Sequence, residues 1–125
     1  QDCIFHECKM LGFAVNAANP LGLKMRFEGC NLSHAVFFAT NIKAFSFKDC
    51  KLNGADFTDA DCTSVNFALC DFTNAVFDNT KLLTADLRTC INYSIDPRKN
   101  NVKGAYFDMP HVIGLLQAFQ IKIKL

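Results

Sequence analysis

Every fifth residue of this chain repeats its chemistry, and that period limits the fold more than any other feature. Read from Met25 in blocks of five, the sequence runs MRFEG, CNLSH, AVFFA, TNIKA, FSFKD, CKLNG, ADFTD, ADCTS, VNFAL, CDFTN, AVFDN, TKLLT, ADLRT, CINYS. The third place holds Phe27, Leu32, Phe37, Ile42, Phe47, Leu52, Phe57, Cys62, Phe67, Phe72, Phe77, Leu82, Leu87 and Asn92, of which 13 in 14 are apolar. The first place is apolar in 12 of 14 blocks, whereas the other three places together give 10 in 42. A period of five is neither the 3.6 of a helix nor the sustained 2.0 of a plain strand. Residues two apart in an extended segment point to one side. Each block therefore reads as a very short strand with its first and third side chains turned inward, followed by a bend. Gly29, Gly54, Asp49, Asp59, Asn74 and Asn79 occupy the last place, where such residues accept turn geometry and positive φ. The Asp or Asn before the central residue (Asn31, Asn41, Asp56, Asp61, Asn66, Asp71, Asp86) either faces solvent or bonds the local backbone.

ADFTD, ADCTS, CDFTN and ADLRT resemble the A-(D/N)-L-x-x signature of pentapeptide-repeat proteins. The resemblance implies an all-β solenoid, a right-handed four-sided β-helix in which four blocks make one coil. The cysteines offer an independent check. Cys30, Cys50, Cys70 and Cys90 lie 20 residues apart, so four blocks per coil stack them in one column, with coils about 4.8 Å apart.

Upstream, CIFHE, CKMLG and FAVNA read as three more blocks, with Phe5, Met10 and Val15 central but two residues out of phase. The stretch from Asn16 to Lys24 absorbs the slip as a bulge or small loop, and Cys8 then joins the Cys30 column. Downstream, Ile95 and Pro97, Asn100 and Val102, and Ala105 and Phe107 keep the first and third places. The coil thus spans residues 1–109 with an interruption near 16–24, about five coils in all. Residues 110–125 form a C-terminal cap, since a solenoid end exposes its core and needs covering. Pro110 suits a helix start. Val112, Ile113, Leu115, Leu116 and Phe119 fall on one helical face, and Ile121, Ile123 and Leu125 alternate with lysines as in a short strand. The resemblance also implies that this module pairs two chains in some relatives. Lys122 and Lys124 offer the alternative of a blunted edge.

Composition narrows function by exclusion. The formal net charge is +1, from 13 basic and 12 acidic residues, which argues against direct nucleic-acid binding through a basic field. No run of 18 apolar residues is present for a membrane span, and the N-terminus has no signal-peptide pattern. Seven cysteines without a C-x-x-C pair read as reduced thiols of a cytoplasmic protein. A column of sulfurs spreads along the coil axis and does not converge on a zinc, so the cysteines read as small apolar filler. His6, His34 and His111 have no ligand spacing between them and read as surface residues. Asp56, Asp59 and Asp61 read as signature and turn acids, and Lys43, Lys81 and Lys103 with Asp61 as a solvated mixed face. Neither catalytic nor metal nor cofactor residues are expected, and the chain reads as a non-enzymatic protein-interaction scaffold. Val36, Phe38, Leu69, Val76, Leu83 and Tyr93 are the apolar residues at outward places. Phe38 and the cap residues Val112, Leu115, Leu116 and Phe119 are the expected contacts for a partner protein or a second copy. The resemblance raises one further function, protection or inhibition of DNA gyrase or topoisomerase IV by DNA mimicry. The mixed charge disfavours it.

Overall fold

The computed structural model describes residues 2–15 and 24–124. The expected loop at 16–23 lies outside the described residues. Four strands, β1 (Asp2–His6), β2 (Lys24–Glu28), β3 (Phe45–Lys48) and β4 (Asn66–Ala68), form one parallel sheet in the order β1-β2-β3-β4. Partners in β2, β3 and β4 are 20 residues apart, as in Phe27↔Phe47 and Phe47↔Phe67. Between β1 and β2 the offset is 22, as in Phe5↔Phe27. The two-residue slip read from the sequence is therefore a change of register between the first two coils. Isolated parallel bridges continue the same offsets around the other sides, for example Lys9↔Asn31, Asn31↔Lys51 and Lys51↔Asp71.

The coil has four walls. Wall A comprises 25–29, 45–49, 65–69 and 85–89; wall B, 30–34, 50–54, 70–74 and 90–94. Wall C comprises 35–39, 55–59, 75–79 and 95–99; wall D, 40–44, 60–64, 80–84 and 100–104. Corners form where the fifth residue turns left-handed: Gly29 (φ 65°), Asp49 (55°), Gly54 (68°), Asp59 (59°), Asn74 (59°) and Asn79 (51°) all do so. At many corners an N–H closes back three residues, as Ala35 N–H does to the Leu32 carbonyl at 3.1 Å. Positive φ at the third residue of such a turn marks the type II geometry.

Inward, all thirteen apolar third-place residues are buried. Phe5, Phe27, Phe47 and Phe67 stack under wall A with centroids 5.2, 5.3 and 5.1 Å apart. Phe37, Phe57 and Phe77 stack under wall C at 5.2 and 5.0 Å. The stacks meet edge to face, Phe37 on Phe47 at 80° and Phe57 on Phe67 at 88°. Parallel stacking follows from identical residues on successive rungs, and edge-to-face contact is what the ring quadrupole favours between the stacks.

Two sequence expectations need correction. Tyr93 does not face outward: it is 1% exposed and packs on Phe107 at 5.6 Å. Asn92, at the third place, takes φ 62° and is exposed. A polar amide has no partner among the phenylalanines, so the block turns two residues early and Tyr93 fills the core. The cap also differs. It consists of two 3-10 turns, His111–Leu115 and Gln117–Phe119, and residues 121–124 form no strand. With three residues per turn, the five apolar cap residues no longer share one face. Leu125 lies outside the described residues.

Candidate interaction surfaces

The second-place acids and amides are occupied by the fold. Asp56 Oδ1 accepts the Thr58 N–H at 2.9 Å, and Asp61, Asp71 and Asp86 accept those of Thr63, Thr73 and Arg88 at 3.1, 3.0 and 3.0 Å. Asn31 and Asn41 do the same for Ser33 and Lys43. These bonds order the bend that follows each third-place residue. The Arg88 guanidinium holds the Asp86 carboxyl below the usual carboxylate range, and Arg98 does so for Asp96. Burial works against ionisation at Asp61 and Asp71, but bonds from Thr63 and from Thr73 and Asn92 outweigh it and leave both lowered. Asp59 accepts from Asn79 Nδ2 at 2.7 Å across the rungs. The trio Asp56, Asp59 and Asp61 is thus part of the coil's hydrogen bonding.

The cysteine column exists as read. Cys30, Cys50, Cys70 and Cys90 are at most 2% exposed, and all seven thiols are free. Cys30, Cys50 and Cys90 donate to the carbonyls of Phe5, Phe27 and Phe67 at 3.3, 3.4 and 2.9 Å. Thr80 makes the equivalent bond to Phe57 at 2.7 Å. First-place Cys and Thr therefore tie each coil to the one before. Burial pushes the Cys30 thiol up, which suits a donor rather than a nucleophile, and the fully buried Cys62 is pushed up likewise. Among the described residues no three potential metal ligands converge. A furrow of about 630 Å³ runs along the edge between walls A and B. Gly29, Asp49, Leu69 and Thr89 form one lip and Asn31, Lys51, Asp71 and Ile91 the other, above the cysteines. It is open along its length.

Besides Leu69 and Ile91 on the furrow and Ile4, Leu11, Tyr106 and Met109 elsewhere, exposed apolar residues group in two places. The first is the cap. Leu115 packs against the core and Val112 is half-buried, while Ile113, Leu116, Phe119, Ile121 and Ile123 are exposed. A groove of about 220 Å³ lies among Ile113, Leu116, Gln117, Ile121 and Ile123. The cap is fastened by the Ile95 N–H to the Gly114 carbonyl, 3.0 Å, and by the Arg98 guanidinium 4.3 Å from the Phe119 ring. Gly114 sits so close to Tyr93 that an added Cβ would lie 2.7 Å from Cδ1 of the ring. The second place is wall C, where Val36, Phe38 and Val76 are 42%, 51% and 47% exposed. The sequence marks Phe38, Leu116 and Phe119 as contacts but not Ile121 and Ile123, because strand phase sets those two against the lysines.

Coils of four five-residue blocks, joined by parallel bridges, define a four-sided β-helical solenoid. Residues 1–77 match the family model described as the pentapeptide repeat region, and the chain belongs to the pentapeptide-repeat family. That family is functionally diverse and generally non-catalytic. No curated protein matches the chain. Among solved structures, Rfr23, a pentapeptide repeat protein from the cyanobacterium Cyanothece 51142, is 15% identical with a TM-score of 0.34, over 86% of this chain and 88% of that one. QnrB1, a plasmid-mediated fluoroquinolone resistance protein, is 15% identical with a TM-score of 0.31, over 98% and 89%. HetL, a pentapeptide repeat protein involved in heterocyst differentiation regulation in the cyanobacterium Nostoc, is 16% identical with a TM-score of 0.34, over 85% and 46%. Family membership rests on the sequence match and the five-residue coil. No described helix is long and apolar enough to cross a membrane.

Proposed function

We propose that this chain is a non-catalytic scaffold that works by binding other proteins, and that its C-terminal cap pairs two copies. The observation that carries this reading is where its apolar surface lies. On the walls, second-place carboxylates and amides such as Asp56, Asp61, Asp71 and Asn31 bond the coil's own backbone, whereas Ile113, Leu116, Phe119, Ile121 and Ile123 stand exposed together on the cap. Clustered apolar surface of this kind marks contact sites. Light scattering tests the pairing. A dimer mass is expected for the parent chain and a monomer mass for Leu116→Ser with Ile121→Ser. A monomer at high concentration retires the cap as a self-association surface. Affinity capture with the same two chains then separates partners held by the cap from those held by the walls.

Protection of gyrase is a second reading, favoured by the carboxylates Asp56, Asp59 and Asp78 on wall C. Against it, Val36, Phe38 and Val76 interrupt that charge, and all four walls carry both signs, wall C through Arg98 and Lys99. A supercoiling assay with and without a fluoroquinolone decides the matter: no protection or inhibition at micromolar protein removes the reading.

A further inference from the structure

Wrapping the chain into four walls sorts its charge in a way the linear order hides. Between Ala35 and Asn79, wall C carries Asp56, Asp59 and Asp78 and no basic residue; its last coil, 95–99, adds Asp96 with Arg98 and Lys99. Wall D, beside it, carries Lys43, Lys81 and Lys103 against Asp61 alone. Asp61, Asp86 and Asp96 each have a basic side chain within 4.0 Å. Among the described residues Asp56, Asp59 and Asp78 have none. Asp59 and Asp78 are exposed and Asp56 is half-buried.

The same wall holds the exposed Val36, Phe38 and Val76. Val36, Asp56 and Val76 are bridged in one column, rung by rung, so the two valines stand about 9.6 Å apart with a carboxylate midway. An α-helix rises about 10.5 Å in seven residues. Its side chains at i and i+7 therefore span the two valines, while those at i+3 and i+4 lie over Asp56. Phe38 and Asp78 flank the line on the next outward column, two coils apart.

We propose that wall C docks a basic amphipathic helix of a partner protein. Apolar residues seven apart meet Val36 with Phe38 and meet Val76, and Lys or Arg on the intervening turn pairs with Asp56 and Asp78. Complementary charge sets the partner's sign and the apolar pairs anchor it, which is helix recognition by i, i+3, i+4, i+7 contacts. Unpaired exposed carboxylates also steer a basic partner, with an ionic-strength dependence. The inference rests on the scaffold reading but not on cap pairing.

The test is binding of a synthetic helical peptide, about 18 residues long so that helix forms readily, with leucines seven apart and lysines on the turn between. A scrambled peptide of the same composition is the control. Anisotropy should show the phased peptide binding the full chain more tightly than the scrambled one. Phe38→Ser with Val76→Thr should weaken it at least about tenfold. Asp56→Asn with Asp78→Asn should weaken it and flatten its salt dependence, while the amide oxygen introduced at position 56 still accepts the Thr58 N–H. Lys81→Ala with Lys103→Ala on wall D should leave it unchanged. Absence of binding, equal binding of the scrambled peptide, or indifference to the wall C changes overturns the proposal. Affinity capture with the parent chain reads the scaffold role independently, so failure here is distinguishable from failure of the scaffold reading.

Discussion

Where an aspartate stands one residue before the central residue of a block, as at Asp61, Asp71, Asp86 and Asp96, it orders the following bend, and at Asp86 and Asp96 its charge also holds an arginine. Its Oδ1 takes the N–H two residues on, and at Asp86 and Asp96 the second oxygen pairs an arginine at 2.8 and 3.0 Å. Asp61, Asp71, Asp86 and Asp96 all titrate below the usual carboxylate range in the fold. A depressed folded-state value means stability is present above the unfolded value, about 3.9, and is lost as pH falls through the folded one. Thermal unfolding should therefore hold steady above about pH 5 and decline below about pH 4. Asp86→Asn, which keeps the backbone bond, should flatten that decline. A melting temperature that rises on acidification contradicts the role assigned to these acids. In the sequence this role is readable only as a choice between solvent and backbone, since spacing does not say which partner the carboxylate takes.

At the scale of the element, the rung is held by side chains stacked on their own kind. Phe57 lies 5.2 Å from Phe37, 5.0 Å from Phe77 and 6.0 Å from Phe67, and it is fully buried. Phe57→Ala should cost about 3–5 kcal/mol, the range for an aromatic removed from a core. Phe57→Leu, which this fold already uses at Leu52 and Leu82, should cost distinctly less; denaturant titration separates the two. The cap gives the converse case, where space is absent. Gly114→Ala should lower stability by about 1–3 kcal/mol through overpacking against Tyr93. Hydrogen exchange should show the loss concentrated at Ile95 and residues 111–119. Uniform loss through every coil would mean that the cap is not a separable element. These two elements are unequally legible. Phe57 declares itself by period. Tyr93 does not, because the five-residue phase assigns it outward, and the phase gives way where Asn92 cannot be buried. In the cap, a 3.6-residue period misreads a segment that closes at three.

For the whole molecule, a two-in-five division of labour separates folding from function. First and third places build the core, and the other three present the walls. Coil number, register and the cysteine column are readable from the sequence because each depends on spacing alone. The sorting of charge onto walls C and D is not, because Asp56, Asp59 and Asp78 interleave with Lys43, Asp61 and Lys81 along the chain and separate only after the four-block turn is imposed. That division is also the claim most directly open to measurement. A lysine scan of residues 25–104, read as resistance of each variant to proteolysis, reports every position at once. Severe losses are expected at the first and third place of each block from Phe27 to Leu87. Tolerance is expected at exposed second and fourth places such as Val76 and Phe38, with one displaced minimum at Tyr93 in place of Asn92. Losses recurring every second residue, every three to four residues, or without period would contradict the coil and every surface derived from it.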